Sequence, residues 1–269
     1  MTVATSHSDL PGSRLELIAL PGIPLVEPGA DLAATIHGAL SHAGLTLVEG
    51  DVLVVAQKIV SKAENRYVRL AEVAVSERAR EIARVVGKDP RIVEVVLGEA
   101  RAVLRQAAGV LIVEHRLGFV MANAGVDASN IEHEDVEAVD RVLRLPVDPD
   151  ASAARLAAAL GARTGVAPGV VINDSVGRAW RNGTVGMALG SHGFPALYDR
   201  RGERDLFGRA LQITEVALAD QVAAAAALVQ GEAAEGRPVV LVRGLAWPAS
   251  APALPARALL RPREQDLFR

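Results

Sequence analysis

Residues 169–190, GVVINDSVGRAWRNGTVGMALG, constrain the fold more than any other stretch of the chain. The apolar run Val170-Val171-Ile172 passes without a spacer into Asn173-Asp174-Ser175, and a second apolar run leads to Gly190. Short apolar runs bounded by polar residues and glycines read as buried strands. The chain therefore has to set a sheet interior directly beside a polar segment, and that segment has the makings of a phosphate and metal site. Asp174 and Ser175 offer hard oxygen ligands, Arg178 and Arg181 are forked cations, and the glycines let backbone approach a ligand. A surface turn with solvated arginines would have the same composition, so the rest of the chain has to decide between the two.

Other strands end in the same way. Residues 14–20 alternate and read as a strand that runs from Leu20 into Pro21-Gly22-Ile23-Pro24, a loop able either to contact a ligand or simply to turn. The run VLVVA at 52–56 is followed at once by Gln57-Lys58-Ile59-Val60-Ser61-Lys62. Read as a loop, this segment places two lysines and a serine for phosphate contacts, although lysines in loops are mostly just solvated. No GxxxxGK(S/T) is present, so it is not a P-loop. Residues 118–121 lead into NAGVDASN at 123–130, where Asp127 is a candidate metal ligand and Asn130 offers both donor and acceptor. An Asx turn or helix cap uses the same residue types. His115, between two hairpin strands, reads as structural, and Glu132, His133, Glu134 and Asp135 fit no compact metal motif.

Helices are expected over 31–43 with Asp31 as N-cap, over 72–86, over 90–105 with Pro90 in the first turn, over 148–161 and over 215–230. Residues 193–207 read as a loop whose Arg200, Arg201 and Arg204 are solvated, and PVVLVR at 238–243 as a buried strand. Strands and helices do not alternate regularly, which favours an α+β fold over a doubly wound sheet, and no GxGxxG follows a strand. The chain contains no cysteine, which excludes thiol catalysis, disulfides and cysteine-ligated zinc. A net charge of -3 gives no electrostatic case for a nucleic-acid partner. No secretory signal and no transmembrane run are evident, so no membrane partner is expected and a cytoplasmic protein is. The division expected is a flexible N-terminus at 1–13, a core at 14–244 and a tail at 245–269.

Taken together, LPGIP at 20–24, AQKIVSK at 56–62, NAGVDASN at 123–130, NDSVGRAWRNGTVGMALG at 173–190 and GRPVVLVRG at 236–244 resemble the coenzyme F420-0:γ-glutamyl ligase family, in the family's order over nearly the whole chain. The resemblance implies a mixed-sheet α+β fold working as an intertwined homodimer. It implies GTP-dependent ligation of L-glutamate to F420-0, then of further γ-linked glutamates, through an acyl phosphate. Two Mg²⁺ or Mn²⁺ ions per site and a K⁺ ion are implied as cofactors. Leu20, Pro21, Gly22 and Ile23 match the first nucleotide-contacting loop, Gln57 and Lys62 the next nucleotide contacts with Lys58 beside them, and Asn130 a contact to GTP or substrate. Asp127 and Asp174 match the metal-binding aspartates and Ser175 a ligand of the second ion. Glu232 stands where archaeal relatives carry a glutamine near the second metal and the nucleotide. Lys62, together with Arg178 or Arg181, would offset charge on the transferring phosphoryl group.

The ending RPREQDLFR is most like the family's bacterial branch, in which a nitroreductase-like flavin domain often follows. Residues 259–269 are too few to form one, so no flavin activity is expected of this chain. Two alternatives share the fold: a non-catalytic nucleotide- or deazaflavin-binding module, and a ligase acting on another carboxylate such as that of a pterin.

Overall fold

The computed structural model describes residues 14–133 and 139–267. The expectations for residues 1–13, for Glu134 and Asp135, and for the last two residues lie outside that range. The architecture is α+β, with a five-stranded mixed sheet at its centre. In chain order its strands are β1 (Glu16–Ala19), β2 (Val52–Ala56), β8 (Gly169–Arg178), β9 (Arg181–His192) and β12 (Val239–Arg243), and in space they run β1-β12-β2-β8-β9. Only β2 and β8 pair in parallel within this sheet.

The apolar runs of β2, β8 and β12 show no alternation because both faces are covered. One face packs under α1 (Leu32–His42) and α5 (Pro149–Thr164), with Leu53, Val55, Ile172 and Leu241 in its core. The other packs under α6 (Leu218–Gln230), with Val54, Val171, Val240 and Phe194. The Asp31 carboxylate caps α1 by accepting the Ala34 N–H at 2.9 Å, and Asp148 caps α5 in the same way through Ala151 at 3.0 Å.

A second lobe is inserted between β2 and β8. It starts with α2 (Gln57–Ala63) and β3 (Tyr67–Arg69), continues through α3 (Glu77–Val86), α4 (Pro90–Glu99), β4 (Ala100–Ala107), β5 (Val110–His115) and β6 (Val120–Ala122), and returns through β7 (Arg141–Leu143), which pairs with β3. Phe119, Met121, Leu145, Val176 and Leu189 form the apolar seam between this lobe and the β8–β9 hairpin. A short strand pair, β10 (Leu197–Asp199) and β11 (Glu215–Ala217), completes the molecule. Among the described residues no helix is long and apolar enough to cross a membrane.

Several expected elements change form. Residues 57–62 are helical, not a loop: Ile59 and Val60 point into the core under α1, so the segment winds as soon as β2 ends. The helix expected over 90–105 stops at Glu99, because residues 100–107 pair with β5 as a strand. The helix expected from residue 72 starts at Glu77, capped by Ser76, and residues 215–217 are a strand ahead of α6. The polar segment 173–186 lies within the long β8–β9 hairpin instead of forming a loop. Its backbone groups pair across the hairpin ladder. Residues 193–207 include β10, and Arg200 and Arg201 are ion-paired with Glu203 and Asp199.

His115, read from the sequence as structural, is buried at the end of β5. Its Nδ1 accepts the Leu117 N–H at 2.9 Å, which leaves Nε2 to carry the proton toward Glu99 at 3.7 Å.

Candidate active site

The topology gathers the predicted residues at one edge of the sheet. β1, β2 and β8 all run opposite to β12, so their carboxyl ends meet where β12 begins. Ala56 lies opposite Asn173 in the parallel ladder; there β2 gives way to α2 at Gln57, while β8 runs on through Asp174, which pairs with Met187 of β9. The carboxyl edge of parallel strands is the usual place for a ligand in sheets of this kind. At the same edge Leu20, fully buried, donates its N–H to the Val239 carbonyl at 2.9 Å. Pro21, Gly22 and Ile23 follow it, with Gly22 at φ +72.

Asp127 reaches this edge from the second lobe. Residues 123–125 are all left-handed, with φ of 52, 52 and 66. Only glycine fits at Gly125, where a Cβ would stand 2.7 Å from Leu145. That turn sends the chain to Asp127, whose backbone is pinned to β7 by bonds of 3.1 and 2.8 Å to Leu143. The Asp127 carboxylate accepts the Ser129 N–H at 2.8 Å, closing an Asx turn. Its other oxygen takes Lys58 Nζ of α2 at 2.7 Å. Lys62, one turn further along α2, donates to the Asn130 carbonyl at 2.7 Å. The Asn130 amide in turn donates to the Ala233 carbonyl at 3.0 Å, which brings in the loop carrying Glu232.

The electrostatics divide the two aspartates. Burial drives the Asp174 carboxyl up to about 7, and the Asp127 charge adds to this against the Ser175 N–H, Lys58 and the Gln57 amide. Burial pushes on Asp127 too, but Lys58 and Ser129 together hold it below the ordinary carboxylate range. Lys62 is shifted down by burial and by its neighbour Lys58.

The donor set suits a hard cation: two carboxylates, a serine hydroxyl and an asparagine amide, with the Lys58 ammonium standing in as the positive charge. Among the described residues no group of three or more His, Cys, Asp or Glu could hold a metal. A Mg²⁺ or Mn²⁺ ion here would therefore complete its shell with phosphate oxygens and water, as Mg²⁺ commonly does.

Not every expected residue faces Asp174. Ser175 follows it in a strand, so its side chain alternates to the other face of β8, where it is exposed. Glu232, on the loop after α6, is exposed. Arg178 and Arg181 sit exposed at the hairpin tip, about 13 Å along the strand from Asp174 at 3.3 Å per residue. The structure does not bring them to the aspartates, because the segment is extended where a compact loop was expected.

Sequence reasoning missed the Asn173 and Gln230 side chains, which hydrogen-bond at 2.7 Å in the core and fix the end of α6, with Gln230 also donating to the Pro238 carbonyl. An asparagine closing an otherwise apolar strand was the available signal.

The sequence profile of the F420-0:gamma-glutamyl ligase family matches residues 22–244. The coenzyme F420:L-glutamate ligase of Methanothermobacter thermautotrophicus is 44% identical over 255 residues, covering 95% of this chain and 99% of that protein. The enzyme of the same name from Methanopyrus kandleri is 45% identical over 262 residues, covering 97% and 99%. The one from Methanocaldococcus jannaschii is 43% identical over 221 residues, covering 82% and 85%. These relatives are archaeal, so they lend no support to the bacterial bifunctional branch expected from the ending.

Proposed function

This chain belongs to the F420-0:gamma-glutamyl ligase family, and we propose that it acts as its relatives are named, as a coenzyme F420:L-glutamate ligase adding L-glutamate to F420-0. The observation that carries the site assignment is the meeting of Asp127 with Lys58 of α2 beside Asp174, where β2 ends against β8.

The chemistry follows from the substrates. A carboxylate is a poor acylating agent. Transfer of the γ-phosphoryl group of GTP to the lactyl carboxylate of F420-0 releases GDP and leaves an acyl phosphate. The glutamate α-amine then attacks its carbonyl carbon, forming the amide, losing a proton and expelling inorganic phosphate. Such transfer needs positioning and charge neutralisation more than a protein nucleophile. Divalent ions bound here would supply that charge neutralisation.

Asp127 and Asp174 would hold one such ion, and Ser175 and Glu232 would serve a second. Residues 20–23, Gln57, Lys58 and Asn130 line the nucleotide position, and Lys62 offsets charge on the phosphoryl group. A K⁺ ion and a homodimer, with Arg178 and Arg181 carried on the projecting hairpin, complete the reading. The test incubates the purified chain with F420-0, GTP, L-glutamate and Mn²⁺ and follows added glutamates by mass spectrometry. No mass increment, or an increment independent of GTP, would sink it.

A further inference from the structure

The chain has only three lysines among its 29 basic residues, and two of them, Lys58 and Lys62, lie on the seven-residue helix α2 at this site. Nearly everywhere else the chain uses arginine. The difference is chemical: an ammonium is a compact point charge with three donors, where a guanidinium is a wide planar fork.

The Lys58 ammonium uses its three donors as a small cation would use its coordination sites. It touches Asp127 Oδ2 at 2.7 Å, Ser129 Oγ at 2.8 Å and the Ser129 carbonyl at 2.9 Å. A carboxylate, a hydroxyl and a backbone carbonyl are also the hard oxygens that divalent ions take. The pair is 69 positions apart in sequence, so the fold itself aims the lysine at this cradle. The Lys58 side chain is only 20% exposed, and the Asp127 carboxylate would face Asp174 without a counter-charge if the ammonium left and nothing replaced it.

We propose that Lys58 is the resident counter-cation of Asp127: it holds the carboxylate in place in the metal-free protein, is displaced when a divalent ion binds, and is thereby released toward the nucleotide phosphates. The inference rests on the reading of Asp127 as a metal ligand. Two cations cannot share one carboxylate oxygen at contact distance without strong repulsion. A four-carbon stem lets the ammonium swing away with no change in the backbone. The released charge stays inside the site, where an arriving triphosphate needs it. A lysine that served only as a phosphate contact would have no reason to respond to metal alone.

Two measurements on the full chain test this. In the first, wild-type protein is labelled with acetic anhydride, with and without saturating Mn²⁺ and without nucleotide, and read by peptide mass spectrometry. Lys58 labelling should rise several-fold on adding Mn²⁺, while Lys88, outside the site, stays constant and serves as the reference. In the second, Mn²⁺ is titrated by electron paramagnetic resonance. Lys58→Met should bind Mn²⁺ about fivefold tighter than wild type, the factor by which a partly exposed ion pair competes. Asp127→Asn separates the two readings. If Asp127→Asn binds Mn²⁺ as wild type does, the metal assignment itself fails. If Asp127→Asn loses the ion but Lys58→Met binds no tighter, or Lys58 labelling does not change, the counter-cation role is overturned.

Discussion

The side-chain amides of Asn173 and Gln230 hydrogen-bond across the buried junction of β8 and α6, Asn173 Nδ2 donating to Gln230 Oε1 at 2.7 Å. Asn173 immediately precedes Asp174, and Gln230 immediately precedes the loop of Glu232, so this one pair ties together two strips of the site. Gln230→Ala leaves a buried amide without its partner, at a cost of about 1–3 kcal/mol. Thermal unfolding should show that loss. The apparent KM for GTP should rise as well, because the 231–235 loop loses its anchor. An unchanged melting temperature would mean that water replaces the lost amide.

Asp127→Ala and Asp174→Ala should each lower ligation more than about 100-fold, since even outer partners of metal sites cost 10–100-fold. Circular dichroism should stay native, because neither side chain belongs to an apolar core cluster. Near-normal turnover of either variant at limiting Mn²⁺ would remove that residue from the metal site.

Lys62→Ala should raise the GTP requirement and slow turnover by roughly 10- to 150-fold, the worth of one charge-assisted contact at about 1.5–3 kcal/mol. Steady-state kinetics against GTP concentration measure this. If neither parameter moves, Lys62 serves only to hold the Asn130 carbonyl, the contact it makes in this structure.

Glu99 provides a pH test away from the site. His115, Arg66 and Arg144 converge on it and hold its carboxyl at about 2, below its ordinary 4.5. A depressed carboxyl stabilises the fold above pH 4.5, and that contribution fades as pH falls from 4.5 toward 2. A depression of that size corresponds to roughly 3 kcal/mol at neutral pH. Urea unfolding of wild type and Glu99→Gln should therefore differ most near pH 7, and the gap should close below pH 4.5. A gap independent of pH would assign the effect to packing.

The sequence alone determined the α+β class, the buried strands at 52–56, 170–172 and 238–243, and the cap at Asp31. Each rests on interactions between near neighbours in the chain. Apolar runs must be covered on both faces, and a carboxylate three residues ahead of a free N–H will accept from it. The long shared motifs also singled out Asp127, Asp174 and Asn130 as candidate site residues. Local pattern went wrong where distant pairing overrode it. Residues 100–107 left a helical pattern to pair with β5, residues 173–178 became strand because β9 lay beside them, and α2 wound because Ile59 and Val60 had a core to enter. Only the tertiary structure decided that Lys58 meets Asp127, that Ser175 and Asp174 face opposite ways, and that Arg178 and Arg181 stand at a hairpin tip. Those outcomes depend on strand direction, on pleat and on contacts between residues dozens of positions apart, where the free energy of one contact depends on every other element being in place.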